Sequence, residues 1–223
     1  MSDPWLTIIG IGEDGLAGLS EASRKALAEA ETVFGGERHL ALAEVGSRGR
    51  PWPVPFDAKI VLSCRGRPTA VLASGDPFWH GAGASLAETL GGDEWIAHPA
   101  PSTFSLAAAR LGWRLESVTC LGLHAAPFER LMPHLAQGAR IICLVRDAAA
   151  VGDLAKWLTQ RGWGRLTPVD SRCAWRPARK HRPASRRSLC RGYCRQSGCG
   201  GGGGAGRPGY FPQFGIIGRS LRP

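Results

Sequence analysis

Apolar residues in this chain come in short runs separated by turn-forming clusters. Residues 5–11 form one such run, ending in Gly10, Ile11 and Gly12. Ser20 then stands where a helix N-cap belongs, and Ala22, Ala26 and Ala30 recur four apart, predicting a helix with a small-residue buried face. Residues 70–73 read as a second buried strand, closed by Ser74, Gly75, Asp76 and Pro77. Residues 84–90 suit a helix, 95–98 a strand, and 102–111 a helix with Ser102 near its cap. Further on, 140–145 predicts a strand and 149–160 a helix burying Val151, Leu154, Ala155 and Leu158. Strands and helices that alternate this way predict an α/β architecture with largely parallel sheets. Residues 46–55, rich in Gly, Pro and Arg, read as a surface loop. No internal repeat is visible.

Composition changes this picture only near the C-terminus. The 223 residues carry a formal net charge of +10, which at first suggests a nucleic-acid partner. The charge is not evenly spread. Residues 1–168 hold 16 Lys and Arg against 17 Asp and Glu, while residues 169–223 hold 12 against one, Asp170. Four of the seven cysteines, Cys173, Cys190, Cys194 and Cys199, also lie in this last segment, beside a glycine run at 200–204. Their spacing lacks the paired C-x2-C arrangement of zinc sites, so no metal is expected. Face value gives a disordered basic tail. No apolar run reaches the roughly 18 residues of a membrane helix. The start lacks a basic n-region, so no signal peptide is expected and the cytoplasm is the expected location.

Four segments carry candidate chemistry. Gly10-Ile11-Gly12-Glu13-Asp14-Gly15 follows a strand, and its glycines suit either a tight turn or close approach to a ligand. The spacing is not that of the dinucleotide fingerprint. In Ser74-Gly75-Asp76-Pro77-Phe78-Trp79-His80-Gly81 a carboxylate follows a buried strand, where open α/β sheets bind ligands. A plain turn accounts for the bend there, but not for the aromatic cluster behind it. Ser102 and Thr103 at a helix start either cap it or hold polar atoms of a ligand. Arg38-His39 and His124 are cationic or titratable groups that suit substrate carboxylates, and equally suit a solvated surface. No acid–base triad and no P-loop stands out, so no catalytic residue is assigned.

Taken in order, these segments do more than each alone. Gly10-x-Gly12 is followed by Gly-Glu-Arg-His-Leu at 36–40, Leu-Ala-Ser-Gly-Asp-Pro-Phe-Trp-His-Gly at 72–81, Pro-Ser-Thr-Phe-Ser-Leu at 101–106 and Gly-Leu-His-Ala at 122–125. Over residues 5–167 the chain resembles the tetrapyrrole (corrin and porphyrin) methylases, in particular the branch that methylates carbons 5 and 15 of precorrin-6Y. The resemblance implies a two-domain α/β fold with S-adenosylmethionine in the cleft between domains. By position, Gly10, Gly12, Ser74, Gly75, Asp76, Trp79, Ser102, Thr103 and Val145 would line the cofactor site. Many relatives carry proline where this chain has Glu13. Arg38, His39 and His124 would meet the carboxylates of a precorrin substrate. The implied activity is methyl transfer to carbon 5 of the macrocycle in cobalamin biosynthesis, on its own or within C5,15 methylation with decarboxylation. Relatives are often homodimers. No nucleic acid and no membrane is expected as partner.

The resemblance stops near Pro168, where composition changes. Synonymous codons for residues 173–183, read one base on, give Ala-Leu-Gly-Gly-Pro-Arg-Glu-Ser-Ile-Asp. That is similar to a Leu-Gly-Gly-Pro-Arg-Glu segment of the family. Residues 210–223, shifted likewise, resemble its Gly-Leu-Pro-Asp-Asp-x-Phe segment. The expectation is a reading-frame slip between about Arg165 and Cys173. The expected organisation is therefore an N-terminal α/β domain at 1–114, an incomplete C-terminal α/β domain at 115–168, and an out-of-frame tail at 169–223. The strand at 140–145 is then expected to have an unpaired edge. The chain is also expected to end before any second, decarboxylating domain. Two alternatives remain: a tetrapyrrole methylase acting at another carbon, and a nucleic-acid binder using the basic tail around Arg172–Arg195.

Overall fold

The computed structural model describes residues 4–163 and the backbone of residues 213–218. The tail cysteines, the basic segment and the expected frame junction lie outside the described residues. Two compact units meet in sequence between Leu106 and Ala107, eight residues before the boundary expected from the sequence.

The first unit is a five-stranded sheet. Its strands are β1 (Leu6–Ile11), β2 (Thr32–Gly35), β3 (Gly49–Pro51), β4 (Thr69–Ser74) and β5 (Trp95–His98), in the order β3-β2-β4-β1-β5. Every pairing is parallel. The central strands β1 and β4 are buried almost end to end, because a parallel sheet is covered on both faces. Side chains alternate between two cores. Ile9, Ile11, Ala70 and Leu72 pack with Leu19, Leu27 and Ala30 of the segment around α1 (Glu21–Glu29). Leu6, Ile8 and Val71 pack on the opposite face with Leu86 of α3 (Ala82–Ala87) and with Leu90. The crossover after β1 thus lies on one face and the crossover after β4 on the other. The carboxyl ends of these two neighbours form a topological switch point, the place where open α/β sheets bind ligands.

Several local expectations hold. Ser20 caps α1 by accepting from the Ser23 amide at 3.1 Å. The buried stripe of α1 differs from expectation. It runs through Ser23, Leu27 and Ala30, and Ala22 is exposed. A leucine at position 27 outweighs alanine spacing, because it has more apolar surface to bury. The expected surface loop at 46–55 contains β3, a three-residue edge strand paired with β2. Two further elements, β2 and α2 (Glu37–Leu42), were not signalled by periodicity.

The second unit contains β6 (Thr119–Gly122), β7 (Arg140–Val145) and β8 (Gln213–Gly218), all parallel in the order β6-β7-β8. Helix α5 (Ala148–Gln160) follows β7, with Asp147 as N-cap accepting from the Ala150 amide at 2.8 Å. Ile141, Cys143 and Val145 form a core with Leu154 and Leu158. Val151 packs against it as a half-buried residue, and Ala155 is half-buried rather than buried as expected. The expected open edge of β7 is corrected: β8 pairs along the whole strand, from Arg140 opposite Gln213 to Val145 opposite Gly218. An apolar run with Phe214, Ile216 and Ile217 suits strand pairing whatever its reading frame.

Candidate functional site

The switch point of the first unit gathers most of the sequence-predicted residues. In β1 and β4, Gly10 lies opposite Ala73 and Ile11 opposite Ser74. The Gly75 amide donates to the Ile11 carbonyl at 3.0 Å, and the Gly75 carbonyl accepts from the Ala100 amide at 3.1 Å. Three loops, following β1, β4 and β5, are thereby laced together by backbone. Two glycines make this possible. Gly75 has φ +57°, a left-handed conformation. A Cβ on Gly10 would lie 1.9 Å from the Gly75 carbonyl oxygen and 2.5 Å from the Ala100 nitrogen.

Asp76 begins a tight turn. One carboxylate oxygen, Oδ1, accepts from the Phe78 amide at 2.9 Å, and the Asp76 carbonyl accepts from the Trp79 amide at 3.2 Å. The turn explanation and the ligand explanation therefore coexist: Asp76 is half-buried and its second oxygen has no role in the turn. The aromatic cluster behind it is ordered by ring contacts. Trp79 packs at 5.3 Å from Phe104, and Phe78 at 5.5 Å from Trp95. Trp79 nevertheless keeps 40% of its surface exposed, leaving a broad ring face on this edge.

Ser102 precedes α4 (Thr103–Leu111) and is buried. Its Oγ accepts from the Ser105 amide at 3.1 Å and lies 2.9 Å from the Ser105 hydroxyl. Capping occupies most of its hydrogen-bonding capacity. Thr103, the first helical residue, is half-buried.

The residues expected to meet substrate lie close by. Arg38 and His39 sit on α2, just beyond the carboxyl end of β2, the strand next to β4. Arg38 Nη2 forms an ion pair with Glu13 Oε1, tying α2 to the loop after β1. His39 Nε2 lies 2.7 Å from the Ser74 hydroxyl, a link across 35 residues of sequence that no motif announces.

The second unit holds the other two predicted residues. Val145 ends β7 with its side chain wholly buried in the core, so only its backbone is available to a ligand. His124 lies just beyond β6, where the Leu123 amide donates to the Leu144 carbonyl at 2.7 Å. It lines a pocket of about 490 Å³ with Phe128, Glu129, Arg146, Asp153 and Trp157. Two of the charged residues at this pocket, Arg146 and Glu129, have neighbouring partners. Arg146 binds Asp147 at 2.9 Å, and that hydrogen bond is the main cause of an Asp147 pKa below the usual carboxylate range. Glu129 accepts from the Trp157 indole at 3.1 Å.

The family model for tetrapyrrole (corrin/porphyrin) methylases matches residues 5–175. A precorrin-6Y C(5,15)-methyltransferase [decarboxylating] of Sinorhizobium sp is 45% identical over 174 residues. That match covers 75% of this chain but 42% of the Sinorhizobium protein, so the chain spans less than half its relative. A cobalt-precorrin-7 C(5)-methyltransferase of Salmonella typhimurium is 29% identical over 184 residues, covering 79% of this chain and 89% of that protein. Among solved structures, a cobalamin biosynthesis precorrin-6Y methylase from Archaeoglobus fulgidus matches with a TM-score of 0.52 and 28% identity, over 68% of this chain and 78% of that one.

Proposed function

The chain belongs to the tetrapyrrole (corrin/porphyrin) methylases, and from that premise we propose that it transfers a methyl group from S-adenosylmethionine to carbon 5 of a precorrin macrocycle. The observation that carries this reading is the switch point between β1 and β4, which bears the family's ordered motifs in a chain 45% identical to a precorrin C5,15-methylating relative. The proposed carbon is C5, on its own or within C5,15 methylation with decarboxylation. The Salmonella relative named for that carbon is matched over 89% of its length, the C5,15 relative over 42%.

The residues present suit the methyl donor. Asp76 offers a carboxylate oxygen to ribose hydroxyls or an amino group, Gly10, Gly12 and Gly75 offer close-approaching backbone, and the exposed Trp79 ring offers an apolar and cation-attracting face. Thr103 adds a hydroxyl, Ser102 whatever its capping role leaves, and Val145 its backbone. S-adenosylmethionine supplies a methyl group already activated on a sulfonium. The protein's task is then to align the partners and keep water out, which needs no acid–base triad. Arg38 and His124 are the proposed partners of the precorrin carboxylates, whereas His39 has its Nε2 on Ser74 and its Nδ1 buried.

The test supplies the purified chain with S-adenosylmethionine carrying a 13C methyl group and with precorrin-6B. One labelled methyl on carbon 5, seen by mass spectrometry and NMR, is expected. Label on another carbon in place of carbon 5 refutes the position, and no label at all refutes the methylase activity. The same reading takes residues 169–223 as translated out of frame. Resequencing the codons around 165–173 is expected to find one base gained or lost, and an unchanged frame removes that part.

A further inference from the structure

We propose that Ser74 and His39 act as a proton-accepting pair that removes the hydrogen displaced from carbon 5; this inference rests on the methylase reading above. Methylating a ring carbon that bears hydrogen leaves a surplus proton, and none of the roles assigned so far takes it.

The geometry singles out one pair. His39 Nε2 and Ser74 Oγ are 2.7 Å apart. Both residues are half-buried, so they belong neither to the core nor to bulk solvent. Ser74 is the last residue of β4, opposite Ile11 of β1, and therefore stands at the switch point itself. His39 stands behind it on α2. Three of the other ionisable groups at this edge have other duties, and His98, at the end of β5, is separated from β4 and Ser74 by β1. Glu13 pairs with Arg38, and Asp76 closes its own turn. An imidazole holds and releases protons near neutral pH, which neither a carboxylate nor a guanidinium does at its ordinary pKa. With the ring proton on Nδ1, Nε2 accepts the Ser74 hydroxyl, and the serine oxygen is turned into a proton acceptor.

The step balances. The electron pair of carbon 5 forms the new carbon–carbon bond, and the broken carbon–sulfur bond leaves its pair on sulfur as a neutral thioether. The ring now carries one positive charge, with methyl and hydrogen both on carbon 5. The carbon–hydrogen bond breaks, and its pair restores the ring double bond. The proton goes to Ser74 Oγ as the serine's own proton passes to His39 Nε2. The charge first carried by the sulfonium ends on the imidazolium, which releases its proton to water. Ser74 is the catalytic group in this scheme, and His39 positions and polarises it.

The test compares wild type, His39→Gln and Ser74→Ala in single turnovers, using precorrin with hydrogen or deuterium at carbon 5. General-base removal predicts that His39→Gln slows loss of the carbon-5 hydrogen, and so formation of the neutral methylated product, by about 100-fold or more. It also predicts a larger deuterium effect in both variants, because proton removal becomes limiting. Calorimetry with S-adenosylhomocysteine is expected to give His39→Gln near-wild-type affinity, and thermal melts are expected to give both variants near-wild-type midpoints, which shows that they fold. A His39→Gln protein that forms the deprotonated, methylated product at the wild-type rate, or is slow with an unchanged isotope effect, overturns the pair. A second readout needs no turnover. In 15N NMR of the free protein, Nε2 of His39 is expected as an unprotonated acceptor that shifts in Ser74→Ala; a protonated Nε2 overturns the proposal. A wild type that transfers no label refutes the methylase reading as well, whereas an active wild type with indifferent variants refutes the pair alone.

Discussion

Replacing Gly10 with alanine tests how tightly the switch point is closed. The new Cβ would stand 1.9 Å from the Gly75 carbonyl oxygen and 2.5 Å from the Ala100 nitrogen, where 3.4 Å begins ordinary contact. Both obstacles are backbone, so no side chain can rotate away. The loop after β4 must withdraw by roughly 1 Å or more, an overpacking strain of about 1–3 kcal/mol. The bond from the Ala100 amide to the Gly75 carbonyl, 3.1 Å long, lies in the path of that movement. Breaking it adds about 1–3 kcal/mol. The expected loss is about 2–6 kcal/mol, with weaker S-adenosylhomocysteine binding because Gly75 and Asp76 move together. Gly92→Ala is the control: its Cβ meets nothing within 4 Å and its φ is ordinary. Urea unfolding followed by tryptophan fluorescence reads both. Equal midpoints for the two variants would refute the close approach of these loops.

Other residues give independent checks. Arg48 Nη1 donates to the carbonyls of Leu27 at 2.9 Å and Ala30 at 2.6 Å, closing the C-terminal end of α1; Arg48→Ala is expected to cost about 1–2 kcal/mol in urea unfolding, and lysine is not expected to restore it. Glu94 is held below its ordinary value near 4.5, chiefly by the Gly91 amide and then the Trp5 indole. A lowered carboxylate pKa stabilises the fold above the ordinary value and loses that effect as pH falls through the folded one. Wild type should therefore outlast Glu94→Gln in thermal melts at neutral pH, with the gap closing below about pH 4.5. Burial pushes the Cys143 thiol up to about 12, so iodoacetamide at mildly alkaline pH should spare it until urea unfolds the protein. Leu154→Ala, which empties part of the second unit's core, should cost about 2–5 kcal/mol by the same urea assay.

Legibility in the sequence followed burial. The strands β1, β4 and β7 and the helix α5 are buried enough to write apolar runs or a 3.6-residue period, and their places were readable. Short elements with little buried surface were read unevenly: the edge strand β5 was readable at its own bounds, whereas β3 carries only Gly49, Arg50 and Pro51, and nothing in α2 is fully buried. The helix face of α1 was misjudged because alanine spacing was weighed above Leu27, the residue with most surface to hide. For the site, the motifs placed Gly10, Gly75 and Asp76 at strand ends, because glycines and turn formers mark where a parallel sheet opens. The bond between His39 and Ser74 was invisible. Two strands must pair before those residues meet, and no local pattern encodes a contact made through strand order. The pairing of β7 with β8 is of the same kind, joining segments some seventy residues apart by register alone.

The central claim is that the carboxyl ends of β1 and β4 form the cofactor site. Titrating S-adenosylhomocysteine into the 15N-labelled protein and following its backbone amide signals tests this directly. The account predicts shifts concentrated at residues 10–15, 74–79 and 102–103. Shifts confined to the pocket around His124 and Trp157, with the switch point silent, would contradict it.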